Sequence, residues 1–218
     1  MTAAGDGGPV RVLIVDDHAV FASSLAFVVD AEPDLKVIDT AGTVQAARDK
    51  ARATHPDVVL LDYRLPDGDG VQLIPELNEL RPAPKIVMLT ATTSDQVLLA
   101  AIEAGVAGFI DKSRDLGEVL SAIRSAAAGE SLVSPQLLAR LLPRLRRQHT
   151  EIGESITDRE RDVLECLAEG LSNADIARRL SVSVHTVRNH IANLSAKLGA
   201  HSKLEVLAIA VRRGIVSG

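Results

Sequence analysis

Aromatic residues make up only 2 % of this sequence: three Phe, one Tyr and no Trp. Any core must therefore be aliphatic, drawn from an apolar fraction of 46 %. The single cysteine, Cys166, excludes an intrachain disulfide and the multi-cysteine zinc sites. Alone in a helix-like segment, it reads as a small buried apolar residue. No apolar run approaches the ~18 residues that span a bilayer. The first ten residues, MTAAGDGGPV, have neither the basic patch nor the apolar stretch of a secretory leader. A cytoplasmic protein with no membrane partner is expected. Internal repeats and low-complexity tracts are also lacking.

What is present is unevenly distributed. From Leu171 onward, Arg178, Arg179, Arg188, Lys197, Lys203, Arg212 and Arg213 are opposed only by Asp175 and Glu205, giving +5. The rest of a chain whose net charge is −5 then carries −10. One end attracts phosphate backbones and the other repels them.

Through residue 129 the pattern alternates. Strand-like runs at 10–15, 35–39, 57–61, 85–89 and 108–110 are separated by helix-like segments near 18–31, 43–54, 71–80, 94–104 and 115–128. The first, third and fourth runs are nearly all apolar, as in strands covered on both faces. Strand–helix units in series imply an α/β fold with a doubly wound, five-stranded parallel sheet. Residues 130–156 read as a partly helical linker. Leu137, Leu138, Leu141 and Leu142 form an amphipathic stretch that Pro143 is expected to stop. The basic run of Arg144, Arg146 and Arg147 suits a solvated face or a DNA contact. From 157 to 218 the pattern is all-α, with four helices near 158–169, 173–180, 184–198 and 203–213. Thr157/Glu160, Ser172/Asp175 and Ser202/Glu205 have capping-box spacing, and Gly170, Gly199 and Gly214 fall at helix ends.

The stretch DVVLLDYRLPDGDG places a carboxylate, Asp62, at the carboxyl end of the third strand, where ligands bind in open parallel sheets. Asp16 and Asp17 follow the first strand. Three like charges side by side repel, and a hard dication such as Mg²⁺ relieves the repulsion while leaving positions for water and phosphate oxygens. Thr90 brings a hydroxyl to the end of the fourth strand, and Lys112 an ammonium to the end of the fifth. A nucleophilic carboxylate, a metal, a hydroxyl and a lysine suit phosphoryl transfer.

Asp16–Asp17, Asp62 with its LPDGDG loop, Thr90–Ala91 and Lys112 together resemble the receiver domain of bacterial two-component response regulators. The resemblance implies a flavodoxin-like fold in which Asp62 accepts phosphate from a partner histidine kinase. Asp17, Asp62 and the main-chain carbonyl of Arg64 would ligate Mg²⁺, with Asp16 acting through water. Thr90 and Lys112 would hold the phosphoryl oxygens. Phe109 falls at the family's aromatic switch position, although it also fits a core role. Ser113 stands where many receivers have Pro, and Tyr63 and Arg64 flank the acceptor. Apart from phosphoacceptor and self-dephosphorylation chemistry, no enzyme is implied.

In VHTVRNHIANLSAKL, residues 184–198, Val184, Val187, Ile191, Leu194 and Leu198 form one apolar stripe. His185, Asn189, Ala192, Asn193 and Ala196 lie opposite it, flanked by Arg188. Small and hydrogen-bonding residues on one face suit a helix that enters the major groove. The text from Thr157 to Gly214 resembles the LuxR-type (NarL/FixJ) helix-turn-helix domain. That likeness implies that Arg188, Asn189 and Ala192 face bases, and that Thr186, His190 and Lys197 contact or neighbour phosphates. It further implies homodimerisation through the last helix on a two-fold site in double-stranded DNA, with Leu204, Leu207, Ala208 and Val211 as the contact. The same stripe suits core packing.

Phosphorylation would act as a switch, with the acidic N-terminal part covering the basic recognition helix at rest. Two other classes remain open: a flavodoxin-like hydrolase or nucleotide-binding protein, and a DNA binder indifferent to phosphorylation. Against the first, DDHAVF replaces a Gly-rich phosphate loop after the first strand.

Overall fold

A computed structural model describes residues 8–90, 94–131, 133–145 and 156–216. The chain clusters into two compact units, residues 1–90 with 110–127, and residues 91–109 with 128–218. Helix 94–104 groups with the C-terminal helices.

The first unit alternates β1 (Val10–Val15), α1 (Ala19–Asp30), β2 (Leu35–Ala41), α2 (Val44–Thr54) and β3 (Val58–Asp62). A two-residue ribbon of β4 (Arg64–Leu65) and β5 (Gly68–Asp69) leads through one 3₁₀ turn, Gly70–Leu73, into α3 (Ile74–Asn78). The expected single helix at 71–80 is thus split. Pro75 lies in the first turn of α3, where its missing N–H costs nothing and its fixed φ favours helix initiation rather than continuation. β6 (Lys85–Thr90) and α5 (Leu116–Ala127) complete the unit, while β7 (Gly108–Asp111) straddles its boundary.

The parallel sheet has the order β2-β1-β3-β6-β7. Val12–Val15, all of β3 and Ile86–Thr90 are buried, which explains their near-continuous apolar composition. Each fully buried Leu, Ile or Val there contributes about 1.5–3 kcal/mol. The chain runs from β1 outward to β2, then returns to the other side of β1 as β3. The switch in strand order therefore falls between β1 and β3, where a crevice opens at the carboxyl ends.

The second unit contains α4 (Asp95–Glu103), α6 (Pro135–Leu145), α7 (Asp158–Ala168), α8 (Asn173–Leu180), α9 (Val184–Leu198) and α10 (Lys203–Arg212). Leu138, Leu141 and Leu142 are buried, as their spacing predicts. Pro143 does not stop α6, which continues to Leu145. So near the carboxyl end, proline costs one intrahelical bond and few later turns depend on it. Arg146, Arg147 and Gly153 lie outside the described residues.

Of the three expected capping boxes, only Thr157/Glu160 closes both halves. Thr157 N–H donates to Glu160 Oε2 at 2.9 Å, and Glu160 N–H donates to the Thr157 hydroxyl at 3.3 Å. Asp175, one methylene shorter, accepts chiefly from the Ser172 hydroxyl, at 2.6 Å. Glu205 reaches one residue further back, to His201 N–H at 2.7 Å. Gly199 ends α9 in the left-handed conformation at φ 69°, where a Cβ would be strained.

α10 is enclosed by its own unit. It packs on α9, α7, α4 and α6, and every residue from Leu204 to Val211 is buried. Polar ties flank the packing. The Ser202 hydroxyl donates to the Val106 carbonyl at 2.8 Å, and Arg212 pairs with Glu103 at 3.0 Å. Arg140 and Arg144 of α6 pair with Asp95 of α4 at 3.0 and 2.8 Å.

Candidate functional site

Register builds the first site. Val15 lies opposite Leu61, so the next residues, Asp16 and Asp62, leave adjacent strands at the same level. Both are buried, whereas Asp17 and His18 are exposed. Lys112 follows β7 and reaches back between the acids. Its Nζ lies 2.8 Å from Asp62 Oδ2 and 2.7 Å from Asp16 Oδ2. Burial alone would lower the Lys112 pKa, but hydrogen bonds and attraction from Asp16 and Asp62 outweigh it, and the net direction is upward. The ammonium also sits 5.4 Å from the centre of the Phe21 ring, a favourable cation–π position.

One oxygen or nitrogen from each of Asp16, Asp17, His18 and Asp62 falls within 4.8 Å of the others. A buried pair of carboxylates with a third at the rim is the hard, anionic donor set that Mg²⁺ takes, so the residues present fit that ion. His18, which the sequence reading passed over, belongs to the group. Its Nδ1 lies 2.7 Å from Asp17 Oδ1 and 3.3 Å from Asp16 Oδ1, and its N–H donates to Asp16 Oδ1 at 2.9 Å. The signal was its position directly after two aspartates.

The remaining rim residues take their expected places along the chain. Thr90 is buried as the last residue of β6, and its carbonyl accepts from Lys112 N–H at 2.8 Å. Arg64 opens the ribbon after Asp62, with its side chain exposed. Phe109 is half-buried on β7. Two residues hold the acceptor loop without having been singled out. A Cβ on Gly70 would drive into the Asp62 carbonyl oxygen and crowd the Leu61 side chain. The Asp67 carboxylate accepts from Val44 N–H at 2.7 Å and Gln45 N–H at 3.0 Å, anchoring the loop to the start of α2. Those bonds hold the Asp67 pKa below its ordinary value.

The second site is α9. Val187, Ile191, Leu194 and Leu198 are buried and Val184 is half-buried. His185, Arg188, Asn189, Ala192, Asn193 and Ala196 are all exposed. Within its own unit, this face of α9 is uncovered. Ser181, at φ 54°, makes the left-handed turn out of α8, and Ser183 caps α9. Asn189 Nδ2 lies 3.3 Å from His185 Nε2. Thr186 and His190 are half-buried beside the open face.

Lys197, the third residue expected to contact or neighbour phosphates, has its Nζ 2.6 Å from Glu160 Oε2. A carboxylate buried in a helix cap needs a counter-charge, and this ammonium supplies it. Leu204, Leu207, Ala208 and Val211 are buried within the chain, the core-packing setting that their stripe also suits. Among the described residues no helix is long and apolar enough to cross a membrane.

Comparison with known proteins agrees with this two-part organisation. Residues 12–124 match the response regulator receiver domain, and residues 154–210 match the bacterial regulatory proteins of the luxR family. The chain is 37 % identical over 203 residues to the DNA-binding transcriptional activator DevR/DosR of Mycobacterium tuberculosis, across 92 % of this chain and 94 % of that protein. It is 28 % identical over 207 residues to the response regulator protein VraR of Staphylococcus epidermidis, across 95 % of this chain and 99 % of that one. The crystal structure of response regulator ChrA, from a heme-sensing two-component system, superposes with a TM-score of 0.51 at 26 % identity, covering 96 % of this chain and all of that one. An acid-lined sheet edge, an open recognition helix and these matches lead to one assignment: the chain belongs to the two-component response regulators with a receiver and a LuxR-type DNA-binding domain, and is a transcription regulator rather than a classical enzyme.

Proposed function

We propose that Asp62 accepts a phosphoryl group from a sensor histidine kinase in the cytoplasm, and that this event frees α10 to pair two chains on a two-fold DNA site. The observation that carries the reading is the Lys112 ammonium held between buried Asp16 and Asp62. An Asp62 oxygen attacks phosphorus, the P–N bond to the donor imidazole breaks, and the leaving nitrogen keeps its electron pair and takes a proton. Asp17, Asp62 and the Arg64 carbonyl would hold Mg²⁺, with Asp16 behind a water. Bound there, the ion offsets charge on the transferring oxygens. Lys112 exchanges its Asp62 contact for a phosphoryl oxygen, and the Thr90 hydroxyl donates to another. Tyr63 and Arg64 govern the approach of water, and so the rate of self-dephosphorylation.

The phosphoryl group adds ~1.5–2 negative charges. Thr90 is followed in the chain by the segment that carries α4, and α4 packs on α10. A shift at Thr90, with repacking around Phe109, thereby loosens the cover over Leu204, Leu207, Ala208 and Val211. Arg188 and Asn189 then read base edges, Ala192 meets a thymine methyl, and Thr186 and His190 approach phosphates. In this reading the receiver spans 1–129, the linker 130–156 and the DNA-binding domain 157–218.

The test compares wild type with Asp62→Asn, each given a small phosphodonor and Mg²⁺. Wild type gains a hydroxylamine-labile phosphate, self-associates and binds DNA more tightly, whereas Asp62→Asn does none of these. Donor-independent DNA affinity, equal in both, would exclude phosphorylation control.

A further inference from the structure

We infer that His18 is a nitrogen donor to the cation site, and that it biases the site toward borderline transition-metal dications over Mg²⁺. The inference rests on reading Asp16, Asp17 and Asp62 as that site. His18 occupies the N-cap position of α1, where Ser, Thr, Asp or Asn would bond the first free N–H groups. Its side chain makes no capping bond. The imidazole instead folds back over the acids, with Nδ1 2.7 Å from Asp17 Oδ1 and 3.3 Å from Asp16 Oδ1, although the side chain is 72 % exposed. The backbone fixes this pose, because His18 N–H bonds the Asp16 carboxylate at 2.9 Å.

These spacings fit a common ion. Octahedral donors at about 2.1 Å from a metal stand about 3 Å apart along an edge. The two nitrogen–oxygen separations bracket that edge, so donors on the strand β1 side are already placed as neighbours around one centre. Carboxylates alone suit hard Mg²⁺, whereas an added imidazole suits Fe²⁺, Ni²⁺ or Zn²⁺, which bind nitrogen ligands more tightly than Mn²⁺ does. Reorganisation is small, since the His18 side chain is mostly exposed. The ion displaces the Lys112 ammonium from between the carboxylates, as Mg²⁺ must also do.

The experiment uses the full chain as wild type, His18→Gln and Asp62→Asn, with circular dichroism to confirm folding. Mg²⁺ and Ni²⁺ are titrated separately by calorimetry. The Mn²⁺-loaded forms are examined by pulsed electron paramagnetic resonance for coupling to an imidazole ¹⁴N. Wild type shows the ¹⁴N coupling and binds Ni²⁺ more tightly than Mg²⁺. His18→Gln loses the coupling and at least about tenfold in Ni²⁺ affinity, while Mg²⁺ binding stays within about twofold. Asp62→Asn weakens both ions, which separates this site from the other histidines. Retention of the coupling, or of Ni²⁺ affinity, in His18→Gln overturns the role of His18 while leaving the Mg²⁺ reading intact. Mg²⁺ binding that is indifferent to Asp62→Asn overturns the site itself, and the inference with it.

Discussion

α9 and α10 are consecutive helices of one unit, both built on a regular apolar stripe, and they end in opposite states. α9 buries one stripe and leaves the opposite face open, whereas α10 is buried from Leu204 through Val211. The difference lies in what surrounds them. α9 meets α7, α8 and α10, all from the DNA-binding region, while α10 is also covered by α4 and α6. A helix whose partners are all close in sequence displays its working face by default. One whose second side is covered by distant segments can be regulated through them.

The comparison can be broken or sharpened by substitution. The largest effect is expected for Leu207→Ala, which opens a cavity inside the α10 packing and costs the second unit about 2–5 kcal/mol. Chemical denaturation measures this, and a loss below about 1 kcal/mol would mean that α10 is held loosely. Next is Arg188→Ala on the open face. It should weaken specific DNA binding by about 1–3 kcal/mol with no change in melting temperature, read by fluorescence anisotropy at fixed salt. A joint loss of binding and stability would show that α9 is less independent of its packing than its exposure indicates.

The smallest effect concerns the tie between α9 and the cap of α7. Burial raises the pKa of Glu160, but the Lys197 ammonium and the bonds from Thr157 outweigh it, and the net direction is downward from 4.5. A carboxyl depressed in the folded state contributes stability that is fully present above its unfolded value and is lost as pH falls through the folded one. Wild type should therefore lose stability more steeply than Glu160→Gln as pH falls below the ordinary carboxyl value of 4.5. Parallel curves from thermal melts would remove Glu160 as a source of acid sensitivity.

Much of the acid-lined site is legible because strand ends are legible. An apolar run that stops at Asp62, and another that stops before Asp16, place two acids on one rim whatever the details of the loops. The stripe of α9 is equally plain. Less readable are contacts set by reach. Lys197 and Glu160 are far apart in the sequence, and only the fold brings them together as an ion pair. Asp175 and Glu205 have capping-box spacing, yet side-chain length sends each to a different partner. Periodicity marks the apolar face of α10 but cannot say whether a second chain or α4 covers it. His18 follows Asp17 in the sequence, and only the fold shows its imidazole beside both aspartates rather than capping α1.

The interleaving of the two units along the chain has a practical side. The backbone passes from one unit to the other after Thr90, returns after Phe109, and leaves again after Ala127. Severing the protein near residue 129, as its family organisation invites, would strip α4 of α10 and α6. A truncated receiver would then present Leu98, Ala101 and Ile102 on a helix deprived of those partners, and its solubility and oligomerisation would reflect the cut rather than the intact regulator.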